Sequence, residues 1–110
     1  PLRDTGAPLE AGNILSNEPG FYRPGEYGLR IENLVLVVED KRLSQKDKTF
    51  HRFETLTLCP IDRRLVAAEL LTGDEKEWLD AYHAQVLRTL EKKVPKDDRA
   101  WLRGACAPIG

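Results

Sequence analysis

The apolar and polar positions in the first half of the chain alternate as they do in β-strands. This pattern predicts three strands, at Ile14–Glu18, Tyr27–Glu39 and Phe50–Leu58. From Val35 onward the second strand carries apolar residues on both faces, so we expect it to be covered on both sides. The charged residues between positions 39 and 48 predict an exposed hairpin loop before the third strand.

The second half of the chain shows a helical period instead. Its apolar residues recur every four positions, at Trp78, Tyr82, Val86 and Leu90. This stripe predicts an amphipathic helix that packs along one face. Thr72 and Glu75 have the spacing of a capping box at its start, and Pro95 stops it. We expect Asp97 or Asp98 to cap a second, short helix. The whole pattern predicts an α+β fold, with an antiparallel sheet of about three strands followed by C-terminal helices.

A tight turn is predicted between the first two strands, at Arg23–Glu26. Pro24 presets φ and Gly25 tolerates a positive φ, which is a mechanistic signal for a turn. Glu18 and Glu32 each lie seven residues from Gly25. If the chain folds back symmetrically there, the two glutamates oppose each other with Cβ atoms about 4.5–5.5 Å apart.

Two carboxylates that close repel each other unless one is protonated or a cation lies between them. A pair of metal ions about 3.5–4 Å apart would suit the arrangement. The ordinary alternative, in which Glu18 and Glu32 are unrelated surface carboxylates of two strands, stays open on spacing alone.

Composition narrows the classes of partner. The 110 residues suit one domain, and 17 basic against 18 acidic residues leave no basic stripe for nucleic acid. The longest apolar run, Leu34 to Val38, is too short to span a membrane. Two cysteines form no disulfide framework, which predicts a cytoplasmic protein. Because the chain has no methionine, we expect it to be excised from a longer protein.

The histidines and cysteines do not have the spacing of metal ligands in sequence. The residues concerned are His51, His83, Cys59 and Cys106. We therefore expect packing or surface roles for all four.

Two segments carry a family resemblance. Glu-Pro-Gly-Phe-Tyr at 18–22 and Gly-Leu-Arg-Ile-Glu-Asn at 28–33 resemble the C-terminal part of the aminopeptidase P/prolidase group of dinuclear metallopeptidases. Phe53–Asp62 is similar to the strand that follows in the longer X-Pro aminopeptidases, and Leu71–His83 is similar to their C-terminal extension. The likeness covers about residues 9–103.

The resemblance implies a pita-bread fold divided into two domains. Residues 1–62 would be the C-terminal part of the catalytic domain, and residues 63–110 a helical extension. It also implies that Glu18 and Glu32 are metal ligands, with Glu18 on one ion and Glu32 bridging two. The family's two aspartates and one histidine have no counterpart here, so no catalytic set is complete and the chain alone is predicted to be inactive.

The resemblance further implies two divalent metal ions. Carboxylate ligands favour manganese, with zinc or cobalt next. Arg30 would hold the bridging carboxylate charged and oriented, or form only an ordinary ion pair on a strand. Tyr22 would lie near the substrate, or be a turn residue that packs on Phe21.

The reaction implied is removal of the N-terminal residue from Xaa-Pro peptides, with a peptide substrate and neither nucleic acid nor membrane as partner. Two alternatives remain open, a prolidase-like dipeptidase and a non-catalytic interaction or dimerisation module. Cut sheet edges and an uncovered apolar face favour a homodimer or a self-associating chain.

Overall fold

The computed structural model describes residues 6–109, and the described chain divides into two compact units. The first unit ends at Thr57 and the second begins at Leu58. The first holds the strands and the second the α-helices, so the predicted α+β order is confirmed. Residues 1–5 and 110 lie outside the described range. The predicted domain division after residue 62 stays a prediction.

The first unit contains two antiparallel sheets. The strands are β1 (Ile14–Asn17), β2 (Gly20–Arg23), β3 (Tyr27–Arg30), β4 (Asn33–Glu39) and β5 (His51–Thr55). In the three-stranded sheet β4 lies between β1 and β5, and β2 and β3 form a separate two-stranded sheet. The prediction of one long strand over Tyr27–Glu39 is therefore wrong, because β3 and β4 are separated at residues 31–32.

Pro19 explains why the ladder is interrupted there. The Ile31 N–H donates to the Pro19 carbonyl at 3.2 Å. Proline has no N–H with which to return a second bond. The Pro19–Ile31 position therefore has one ladder hydrogen bond instead of two, and β3 and β4 form in place of one long strand.

Burial along β4 differs between its faces. Val35 and Val37 are buried, whereas Leu34 is 45% exposed on the opposite face. From Val35 onward, where coverage on both sides was expected, Leu36 and Val38 on the opposite face are half-buried rather than fully buried. The loop after β4 was predicted to be exposed, but its first residue is buried. Asp40 is buried and accepts from the guanidinium of Arg42 at 3.0 Å, which lowers the pKa of the Asp40 carboxyl.

The second unit holds α1 (Gly73–Leu90) and α2 (Arg99–Ala105). The capping box of α1 is confirmed, since Thr72 Oγ1 accepts from the Glu75 N–H at 3.3 Å and the Thr72 N–H donates to the Glu75 carboxylate at 2.8 Å. The predicted side-chain cap of α2 is wrong. Asp98 occupies the capping position, but its backbone is already helical after a 3₁₀ turn, and its side chain makes no capping bond.

The apolar stripe of α1 forms the core of the second unit. Tyr82 and Val86 are buried together with Leu102 and Cys106. Trp78 is 53% exposed, yet its ring stacks on Tyr82 with centroids 5.5 Å apart. The predicted packing role of the stripe is thus confirmed. Within residues 6–109, no helix combines the length and the apolar character needed to cross a bilayer.

His83 is buried and ties α1 to the segment that precedes it. Its Nε2 accepts from the Ile61 N–H at 3.0 Å, which requires that nitrogen to be unprotonated. Burial lowers the pKa of His83, the Arg63 charge lowers it further, and the Asp80 carboxylate acts in the opposite direction. His83 is therefore a packed, neutral histidine, as expected of a structural residue.

We expect the melting temperature of the chain to fall as the pH drops from about 7.5 to about 5. The unfolded histidine takes up a proton near pH 6.5, whereas folded His83 resists it until lower pH. Its contribution to stability is complete above the unfolded pKa and is lost below it. Thermal melts of the His83→Gln variant should show a shallower pH dependence, whereas the variant of the exposed histidine, His51→Gln, should behave as wild type. Equal slopes for wild type and His83→Gln would contradict this.

Candidate functional site

The turn at Arg23–Glu26 determines which residues of the hairpin face each other. The Glu26 N–H donates to the Arg23 carbonyl at 3.0 Å, and Gly25 has a φ of 74°. Positive φ at this position is the conformation that favours glycine. The predicted turn is therefore confirmed, with Pro24 and Gly25 at its centre.

The register is symmetric about Gly25 in both ladders. Gly20 pairs with Arg30 in the β2–β3 ladder, and Asn17 pairs with Asn33 in the β1–β4 ladder. Outward from the Gly20–Arg30 pair, the next two positions are Pro19 with Ile31 and then Glu18 with Glu32. The two glutamates therefore oppose each other in the same register. The predicted symmetric fold-back is confirmed.

The opposed glutamates lie where the β1–β4 ladder ends and the β2–β3 ladder begins. Pro19 and Ile31 form a hydrogen-bonded pair through the Ile31 N–H. Glu18 and Glu32 lie between this pair and the Asn17–Asn33 pair. In a regular ladder such a position is non-hydrogen-bonded, with Cα atoms about 4.5 Å apart. Residues directly opposite in a ladder also project from the same face of the sheet.

Arg30 joins the two carboxylates. Its Nη1 donates to Glu18 Oε2 at 2.9 Å, and its Nε lies 3.7 Å from Glu32 Oε2. Ser16 Oγ donates to the other Glu18 oxygen at 2.9 Å. The side chains of Glu18, Glu32 and Arg30 are 46%, 47% and 49% exposed. Both carboxylates thus converge on one cation, as the repulsion between them requires.

The carboxylates fit part of a metal site but not a whole one. Their oxygens are the hard donors that manganese and similar divalent ions prefer, and both lie on one face. Within residues 6–109, however, no three His, Cys, Asp or Glu residues are grouped so that they could hold a metal ion. His83 belongs to the core of the second unit, and His51 pairs with Glu39 in the β4–β5 ladder. Further ligands would have to come from outside the described chain.

Tyr22 lies on the same face of the hairpin as Arg30. It pairs with Gly28, and its ring lies over Gly28 and Gly20. Phe21 projects from the opposite face, where its ring packs against Tyr27 with centroids 6.1 Å apart. The alternative in which Tyr22 packs on Phe21 is therefore wrong, because neighbouring residues of a strand face opposite sides.

Two features of the site were not predicted. Ser16 bonds Glu18, and the only signal was its place two residues away on the same strand face. Gly20 and Gly28 carry the ring of Tyr22, and the signal was their place beside and opposite a strand tyrosine.

Comparison with known proteins places this chain in a family. Residues 49–109 match the C-terminal region of peptidase M24, and residues 2–39 match metallopeptidase family M24. A probable Xaa-Pro aminopeptidase P from Laccaria bicolor is 46% identical over 93% of the chain and 16% of its own length. A protein of the same name from Fusarium vanettenii is 46% identical over 92% of the chain and 17% of its own length. Protein pid-5 of Caenorhabditis elegans is 44% identical over 92% of the chain and 10% of its own length.

A solved structure agrees with these relatives. The X-prolyl aminopeptidase of C. elegans, described as a cytosolic enzyme with a dinuclear active site, superposes with a TM-score of 0.82 at 41% identity. The match covers 96% of this chain and 18% of that one, and it confirms a part of the pita-bread fold. The chain spans about a sixth of the length of the two aminopeptidase P relatives. From the family models, the relatives and the fold together, the chain belongs to metallopeptidase family M24, and more than half of it is the C-terminal region of that family.

Proposed function

We propose that this chain is the C-terminal part of a dinuclear metal-dependent aminopeptidase that releases the N-terminal residue from Xaa-Pro peptides. The observation that carries the proposal is the opposition of Glu18 and Glu32 on one face, with both carboxylates drawn to the guanidinium of Arg30. The names of the relatives and the dinuclear site of the C. elegans enzyme support the same reaction class.

The proposal gives a role to each of the residues Glu18, Glu32, Arg30 and Ser16. Glu18 would bind one ion and Glu32 would bridge two, with manganese the first choice for carboxylate ligands. Bound ions of this kind act as Lewis acids toward the scissile carbonyl. Arg30 would hold both carboxylates toward one point, and Ser16 would orient Glu18 through its hydroxyl.

The chain alone is proposed to be inactive, because a dinuclear site needs more ligands than two carboxylates. Two aspartates and a histidine would come from another part of a longer protein. We propose a cytoplasmic location, which the cytosolic C. elegans enzyme supports. A homodimer or a self-associating chain is supported by the large exposed apolar residues of the hairpin, Phe21, Leu29 and Ile31.

In the full-length protein that carries this chain, Glu18→Gln and Glu32→Gln should each lower Xaa-Pro hydrolysis by more than about 100-fold. A change in a group that merely orients a metal ligand costs about 10–100-fold, and a lost ligand costs more. The measurement is release of the N-terminal residue from a proline-containing tripeptide with added Mn²⁺, together with the metal content of each purified variant.

The matched control is Glu26→Gln, since Glu26 is an exposed glutamate of the same hairpin whose ion pair is with Arg23. It should keep wild-type activity and metal content. Hydrolysis of dipeptides alone would favour the prolidase-like alternative. A folded full-length protein with no turnover on either substrate would overturn the peptidase assignment.

Arg30→Lys should lower the same activity by about 10–100-fold. Arg30 reaches two carboxylates with two different nitrogens of its planar guanidinium, and a single ammonium group cannot reproduce that fork. Arg23→Lys, at an exposed ion pair of the same hairpin, should leave the kinetics unchanged. Equal effects of the two substitutions would contradict a specific part for Arg30.

The 110-residue chain by itself should bind Mn²⁺ only weakly. Its described residues offer the Glu18–Glu32 pair and no cluster of three ligands. Isothermal titration calorimetry of Mn²⁺ into the isolated chain should give no submicromolar site, and a submicromolar site abolished by Glu32→Gln would contradict the proposed inactivity of the chain.

A further inference from the structure

The ring of Tyr22 crosses two glycines of the hairpin. A Cβ atom added at Gly28 would lie 2.7 Å from Cδ1 of the ring, and one added at Gly20 would lie 2.6 Å from the phenol oxygen. Both separations are shorter than real Cβ contacts allow. The ring can lie here only because neither residue has a side chain. Gly28 lies directly opposite Tyr22, and Gly20 lies two residues before it.

The direction of the ring follows from these contacts. Its inner edge lies over Gly28, and its hydroxyl end lies over Gly20. Gly20 is paired with Arg30, and the next position outward on this face is the Glu18–Glu32 pair. The phenol oxygen thus lies over the Gly20–Arg30 pair, which is the pair nearest to Glu18 and Glu32 on this face.

Any larger residue at either glycine would act on Tyr22 rather than on the backbone. At Gly20 all three nearest atoms belong to the Tyr22 side chain, and at Gly28 the two nearest do. A ring that is 61% exposed can swing away from the sheet without disturbing a core. An alanine is therefore expected to displace the hydroxyl while the hairpin stays folded.

We propose that Gly20 and Gly28 are positioning residues. They form a trench that holds the Tyr22 hydroxyl over the Gly20–Arg30 pair, next to Glu18 and Glu32. The inference rests on the proposed function for its kinetic consequence and on the hairpin geometry for its structural one. The glycines touch no reacting group themselves, and they act only through the tyrosine ring.

The test is a double-mutant cycle in the full-length protein, with Gly28→Ala, Tyr22→Ala and the combination of both. Gly28→Ala should lower kcat/KM about 10-fold or more, with kcat changing more than KM, because a displaced orienting group costs activity on that scale. In the Tyr22→Ala background the same glycine substitution should cost nothing further, since there is no ring to displace.

The matched control is Gly104→Ala, at a glycine where an added Cβ meets nothing within 4 Å. Both glycine variants should melt near the wild-type temperature, which separates displacement of the ring from unfolding. A crystal structure of Gly28→Ala should have the Tyr22 hydroxyl moved away from its place over Gly20.

Three results would overturn the inference. One is a kinetic cost of Gly28→Ala that persists in the Tyr22→Ala background, since the glycine would then act through the backbone. Another is a displaced ring with unchanged kcat. The third is a Gly28→Ala structure in which the ring has not moved. If the wild-type protein has no peptidase activity, the proposed function fails on its own, and the crystal structure still decides whether the trench holds the ring.

Discussion

The close approach of two like charges is the constraint on which the site depends. Glu18 and Glu32 are brought together by the register that the turn centred on Gly25 sets, with side chains that alternate between faces with a period of two. A slip by one residue would send one glutamate to the opposite face. The protein therefore builds its carboxylate pair from backbone geometry and then has to neutralise it.

Arg30 supplies that neutralisation. One nitrogen of its guanidinium faces each carboxylate, so a positive charge lies close to both glutamates. An ordinary surface ion pair between exposed residues contributes little to stability, so the role that we propose for Arg30 is to orient the two carboxylates. Tyr22 is directed to the same cluster by the absence of side chains at Gly20 and Gly28.

The second unit uses buried polar side chains for a different purpose. The Tyr82 hydroxyl donates to the Cys59 carbonyl at 2.9 Å, and His83 accepts from the Ile61 N–H. Both residues lie on α1 and hold an irregular segment whose backbone groups would otherwise lack partners. Buried polar groups of this kind specify one arrangement of segment and helix, which explains why a neutral histidine is found in this core.

Local chemistry was sufficient for the turn at Arg23–Glu26, the capping box of α1 and the packing stripe around Tyr82. Each depends on residues within one turn or one period of the chain, so the signals are present in sequence. The opposition of Glu18 and Glu32 was also predictable, since it follows from the turn by counting. Assigning them as metal ligands needed the family resemblance, because spacing alone left an ordinary pair of surface carboxylates possible.

Tertiary structure decided what depends on contacts across the fold. The interruption at Pro19, the burial of Asp40 and the bond from Ile61 to His83 all depend on which backbone group lies opposite, and no local pattern encodes this. The same holds for the ring of Tyr22, whose direction depends on the absence of side chains at Gly20 and Gly28. The sequence by itself determined the order of sheet and helices, the fold-back about Gly25 and, through the family resemblance, the candidate ligands. Only the folded chain decided which partner each polar group found, because hydrogen bonds and steric gaps act between residues that are distant along the chain.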